Sequence, residues 1–146
     1  VVSIPVRARS SDDLTSRLHA LVTEHGEAYC AKARGWNATE CQRELVHRDA
    51  DTEVWLLWWQ PDHVTPIHDH GGAVTVTTVL SGALFEEQFE RAGFGVRLTG
   101  SVRREVGDYD ALDVPDIHRV RAVGPTISLH LHTPRAIDGR TFEDAL

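Results

Sequence analysis

Beyond Thr52 the chain is a series of short runs rich in Val, Ile, Leu, Trp and Thr, each closed by Gly or Pro. They fall at residues 52–60, 73–80, 83–90, 95–99, 101–106, 111–114, 118–122 and 126–132. Gly100, Gly107, Pro115, Gly124-Pro125 and Pro134 punctuate them, and Ser81-Gly82 supplies a turn between two runs that read as a hairpin. Many short strands at even spacing predict a mainly β chain, closed as a small antiparallel barrel or double-sheet jelly roll. The 52–60 run, with its three tryptophans, suits a strand buried on both faces or lining the barrel.

Before the strands the periodicity is helical. Ser10 or Ser11 can cap residues 10–34, Asp12 and Asp13 suit the positive end of the dipole, and Leu14, Leu18, Leu21 and Val22 form one stripe. Gly26 interrupts that pattern and predicts a break or a separate short helix through Tyr29 to Ala33, Gly35 ends the region, and a short second helix is expected from Thr39 to about Val46. The layout expected for residues 1–146 is one domain: a helical leader over about 1–48, a barrel over about 50–134, and a polar tail over 135–146 crossing the barrel's outside. A chain of 146 residues can bury a real core, about 70% of its unfolded surface.

Charge narrows the partners. A net charge of −7 argues against nucleic acid and anionic membrane, and no apolar run approaches a membrane span. The opening Val-Val-Ser-Ile-Pro-Val-Arg-Ala-Arg is too short and polar for a secretory signal, and without any methionine Val1 reads as something other than the translated start. Cys30 and Cys41 are too few for a disulfide scaffold, so a reducing cytoplasm is the expected compartment.

The chemistry-bearing feature is histidine. His68 and His70 stand two apart in an alternating stretch, so on a strand both imidazoles share one face while Asp69 points away. A mononuclear metal site needs a third ligand from elsewhere, and His118, in Val-Pro-Asp-Ile-His, is the best candidate. A single histidine in a sheet is ordinarily a surface or hydrogen-bonded residue. Several buried together without partners would cost on the order of 1–3 kcal/mol each, which coordination removes.

These residues resemble a family. His68-x-His70 followed by Gly82 is similar to the first cupin motif, and Gly107 through His118 to the second. The acid that the first motif normally carries is replaced by Thr75, which makes the pattern similar to the thiol dioxygenase branch typified by cysteine dioxygenase. Arg43-Glu-Leu-Val, the Trp59 strand, Ile67-His-Asp-His70, Leu80-Ser-Gly-Ala-Leu-Phe-Glu86, Ile117-His-Arg-Val120 and Ser128-Leu-His-Leu-His-Thr-Pro134 have counterparts in order, over roughly residues 41 to 134. The resemblance implies a cupin-type jelly roll holding Fe(II) with His68, His70 and His118. Nickel or another divalent metal is also open, since three histidines discriminate weakly among first-row ions. A site of three neutral imidazoles leaves the ion near +2, which favours an anionic ligand such as a thiolate.

The resemblance also assigns the surroundings. Arg43 matches the arginine that holds a substrate carboxylate, where a bidentate fork that stays charged is useful; read alone, it is an ordinary surface arginine. Its neighbour Gln42 matches a glutamine found in relatives that take other thiols. Cys41 falls where the family often has a substrate-contacting tyrosine. Trp55, Trp58 and Trp59 read as barrel wall, with Trp59 carried over as the one beside the substrate. Ser128, His130 and His132 share one strand face, matching the family's hydrogen-bonded Ser, His and Tyr, which makes them the candidate catalytic residues. His132 stands in the tyrosine's place and Thr75 in that of the cysteine of the family's thioether cross-link, so that cross-link cannot form. His130 or His132 as a metal ligand is a competing use. Thr133-Pro134 matches a bond that is cis in the family. His63 reads as a solvated turn residue, and His19, His25 and His47 as surface residues on or near helices.

The expected function is therefore O2-dependent oxidation of L-cysteine or a related small thiol to a sulfinate, by a monomer or small homo-oligomer. The alternatives are a variant enzyme giving a different S-oxygenated product and a non-catalytic cupin that binds a metal and a small molecule.

Overall fold

The computed structural model describes residues 10–133 and 141–142. One helix, α1 (Ser11–Gly35), precedes ten strands: β1 (Gln42–Arg48), β2 (Glu53–Trp59), β3 (Ile67–His68), β4 (Val74–Ser81), β5 (Ala83–Ala92), β6 (Gly95–Glu105), β7 (Tyr109–Leu112), β8 (Ile117–Ala122), β9 (Thr126–Thr133) and β10 (Thr141–Phe142). They form two five-stranded sheets, ordered β1-β2-β9-β4-β7 and β10-β3-β8-β5-β6, and the strand ladders are antiparallel. The chain crosses from one sheet to the other repeatedly, the jelly-roll arrangement expected of the sequence. No helix among the described residues is long and apolar enough to cross a membrane.

Ser10 caps α1, its Oγ accepting from the Asp13 amide at 3.2 Å, and Asp12, Asp13, Lys32 and Arg34 complement the two ends of the dipole. Leu14 and Leu18 are fully buried against Val54, Leu56, Val76, Ile127, Leu129 and Leu131 of the first sheet. Alternation then sends their neighbours Trp55, Leu57, Thr75, Thr77, Ser128, His130 and His132 to the opposite face, which lines the barrel. One face of this sheet therefore holds the helix, and the other holds the polar groups of the site.

Three local expectations are corrected. Gly26 does not break α1: a Cβ there would meet only Val22 at an ordinary 3.5 Å, and burial of the leucine stripe carries the helix through. The second helix over 39–46 is absent, so the helical leader ends at Gly35 rather than near 48. Asn37 turns the chain in the left-handed region (φ 47°), and from Gln42 it pairs with β2, Arg43 opposite Leu57 and Leu45 opposite Trp55. Ladder pairing outweighs the weak helical propensity of that stretch, and His47 lies on this strand. Gly100 does not divide β6. The ladder pairs Gln88 with Gly100 and Phe89 with Leu98, so Thr99 is the extra residue of a bulge. Of the tail, residues 141–142 pair with β3. The Thr133-Pro134 bond lies outside the described residues.

Candidate metal centre

The two histidines of the opening motif converge, His68 at the end of β3 and His70 just beyond it. Ile67 and His68 pair as β3, and the chain turns after His70, with the Ala73 amide donating to the His70 carbonyl at 3.2 Å, the Gly71 amide donating to Asp69 Oδ1 at 3.0 Å, and Gly71 at φ 63°. Burial alternates along the motif, Ile67 and Asp69 buried and His68 and His70 half-buried, so the two imidazoles share one side as their spacing predicts. His118 arrives from β8, directly opposite His68 in the ladder. Ring centroids stand 4.6 Å apart for His68–His118, 4.8 Å for His70–His118 and 5.0 Å for His68–His70. One ligand nitrogen from each lies within 4.8 Å of the others.

The hydrogen bonds decide which nitrogens are available. His68 Nδ1 donates to the Pro66 carbonyl at 2.8 Å, and His118 Nδ1 faces Glu86 Oε2 at 3.0 Å. Both acceptors require Nδ1–H, leaving each Nε2 with its lone pair. His118 Nε2 stands 3.3 Å from His70 Nε2. Two nitrogens each about 2.1 Å from one ion and roughly at right angles would be about 3 Å apart, so this spacing fits a shared ion. Burial, followed by the charge of His118, pulls the His68 pKa down; the same causes with His68 and His132 take His70 to about 3. Both are held in the neutral form that ligation requires. The donor set fits a divalent metal on three imidazoles.

Thr75 Oγ1 lies 3.1 Å from His132 Nδ1. His132 is 5.9 Å from His70 between ring centroids. Its pKa falls to about 4 through burial, with the Arg43 charge adding and Glu53 opposing. One rung along, Trp59 Nε1 donates to Ser128 Oγ at 2.8 Å, Ser128 Oγ lies 2.8 Å from His130 Nε2, and His130 Nδ1 lies 3.2 Å from Thr77 Oγ1. The consistent direction runs from the indole through the serine hydroxyl to His130 Nε2 and from Nδ1–H to Thr77. Burial, then the neighbouring histidines, holds His130 well below its ordinary pKa. Ser128 and His130 are thus joined, whereas His132 is tied to Thr75 instead.

Arg43 sits on the exposed edge strand with its guanidinium 4.9 Å over the Trp55 ring. Cys41, Gln42, Arg43 and Trp59, with His63, help line a cleft of about 250 Å³. Cys41 is a free thiol whose Sγ accepts from the Gln60 amide, and Trp59 is both barrel wall and the donor to Ser128. His63 is exposed, as expected, yet its ring lies 5.8 Å from Trp59 at the cleft. A larger cavity, about 560 Å³, lies between α1 and β4, and neither it nor the cleft is lined by any of the three clustered histidines. The donor chemistry, not the volume, locates the site.

Sequence reading missed Glu86, which accepts from His118, and Glu53, a nearly buried acid opposite His132 that accepts from Trp55 Nε1 at 3.0 Å. Glu86 stood inside a quoted motif, but both faces of its strand carry apolar residues, so alternation gave no sign of which way it points.

The family model for cysteine dioxygenase type I matches residues 20–145. Solved structures show the same fold at low identity. KdgF from Halomonas sp. is 21% identical with a TM-score of 0.56, over 67% of this chain and 82% of that one. A conserved protein with a double-stranded β-helix domain from Klebsiella pneumoniae is 19% identical with a TM-score of 0.57, over 70% and 80%. A cupin superfamily protein from Desulfitobacterium hafniense is 14% identical with a TM-score of 0.53, over 68% and 80%.

Proposed function

The chain belongs to the cysteine dioxygenase type I family, and from that membership we propose that it is a non-haem, metal-dependent thiol dioxygenase. The substrate is L-cysteine or a closely related small thiol. Both atoms of O2 are transferred to sulfur, giving RSO2H from RSH; sulfur loses four electrons and O2 gains them, so no further reductant is needed. The observation that carries this reading is the convergence of His68, His70 and His118 without an acid among the donors. Iron(II) held there would supply the Lewis acidity that deprotonates a thiol and the redox chemistry that activates O2.

The chain's own residues do the positioning. Arg43 offers a fork that fits a carboxylate, and the Trp55 face under its guanidinium limits where that fork can point. Gln42 and Cys41 border the same cleft and set the room for the substrate's polar end. Trp59 and Thr77 hold Ser128 and His130 in fixed hydrogen-bond directions, and Thr75 steadies His132. His132 is neutral at pH 7, as a phenol would be, but its ring offers one N–H donor and one acceptor nitrogen on opposite sides. That substitution favours a second reading, in which sulfur takes one oxygen atom and the other leaves as water, reduced by two further thiols that pair as a disulfide.

The test is anaerobic loading with iron(II), titration with candidate thiols, then O2 addition and mass analysis of the product. A mass gain of two oxygens supports the dioxygenase, and a single oxygen supports the variant. No thiol-dependent O2 uptake with any candidate overturns both. Arg43→Ala is expected to weaken productive binding of carboxylate-bearing thiols about 10- to 100-fold, the loss of a charge-assisted bidentate contact.

A further inference from the structure

We propose that Glu86 is the anionic anchor of the histidine centre. It holds His118 in the tautomer whose Nε2 faces His70, and it supplies from the next bond outward the negative charge that Thr75 cannot supply as a ligand. This rests on the reading of His68, His70 and His118 as a metal site.

On β5, Leu84, Glu86 and Gln88 alternate onto the barrel's inner face, opposite Ala122, Val120 and His118 of β8. The Glu86 side chain is only 3% exposed and the His118 side chain 7%. A carboxylate this deep is costly unless every lone pair is engaged. Its two oxygens are divided between tasks. Oε1 accepts from Gln88 Nε2 at 3.0 Å and from Arg104 Nη2 at 3.2 Å, while Oε2 faces His118 Nδ1 at 3.0 Å. Arg104 Nη2 also reaches Asp110 Oδ1 at 2.8 Å, which ties the guanidinium to β7. With Oε1 claimed by two donors, the carboxyl plane cannot rotate away from the imidazole. An ionised carboxylate only accepts, so His118 must carry its hydrogen on Nδ1 and present a bare Nε2 to its histidine neighbours. Carboxylate-backed imidazoles are stronger ligands in fixed orientations. Arg104 is a positioning residue that acts through Glu86.

Glu86→Gln keeps the shape and reverses the instruction. The single amide oxygen is demanded by Arg104 and Gln88, so the NH2 group turns to His118 and donates to Nδ1. The hydrogen then moves to Nε2, the nitrogen needed for metal. Long-range 1H–15N spectra of histidine-labelled, metal-free protein should show Nδ1–H for His118 in the wild type and Nε2–H in E86Q. Iron(II) affinity, measured anaerobically against a competing chelator, should fall about 10- to 100-fold in E86Q. A wild-type His118 with its hydrogen on Nε2 overturns the proposal without any variant. An E86Q protein that binds iron(II) as tightly as the wild type also overturns it. Both readouts are independent of thiol chemistry, so a protein that passes them and oxidises no thiol contradicts only the proposed function.

Discussion

At the scale of single residues, burial, followed by nearby charges, keeps His68, His70, His130 and His132 neutral. His70 and His132 are depressed to about 3 and about 4. In the unfolded chain each titrates near 6.5, so between the two values only the unfolded state takes up the proton. The stability tied to these neutral rings is therefore complete above about pH 6.5 and is lost as pH falls toward 4. Asp110 acts in the opposite sense. Burial, then its hydrogen bond to the Glu86 carboxylate, raises it to about 8, so its contribution is lost as pH rises toward that value. Comparing a variant with wild type isolates the histidine part. In metal-free protein, His132→Asn should lose less stability than wild type between pH 7 and pH 5, by about 1–2 kcal/mol in urea unfolding. Parallel pH profiles would show that His132 is not held neutral by the fold. The three clustered histidines were legible from motif and resemblance. Glu86 was not, because Phe85 and Phe89 alternate against Leu84 on the same strand and leave its inner face ambiguous.

At the scale of elements, the hairpin that joins the motif strand to the Glu86 strand depends on Gly82. It sits at φ +85°, and a Cβ there would stand 2.5 Å from the Pro125 carbonyl oxygen and 2.6 Å from Thr126 Oγ1. Gly82→Ala is therefore strained by conformation and by contact, and should cost on the order of 2 kcal/mol. The check is a lowered urea midpoint with an unchanged slope; an unaltered midpoint would mean that the turn adapts freely. Turn chemistry of this kind was readable, and β2, β4, β5, β8 and β9 fell close to their expected places. The stretch at 39–46 was not. Its residues are acceptable in a helix or a strand, and the choice was made by the open edge of β2, the next strand along the chain.

At the scale of the whole molecule, a metal on these ligands would clasp β3, the turn after it, and β8. Only the folded barrel brings the three together, so binding adds to stability by mass action. Iron(II), nickel(II) or zinc(II) at about 100 times its dissociation constant should add about 2.7 kcal/mol and raise Tm by about 5–10 °C, reversed by chelator. No shift with any of the three ions would remove the metal centre from the account.

The sequence by itself determined the mainly β architecture, the jelly-roll topology and the three histidines, because period-two patterning, Gly/Pro punctuation and motif spacing are local signals written along the chain. Tertiary structure alone decided that β8 sets His118 directly opposite His68, that residues 42–48 are a strand, and that Glu86 with Arg104 stands behind His118. Those outcomes depend on which partner a ladder supplies and which face it buries, and both are fixed only when residues distant in sequence meet.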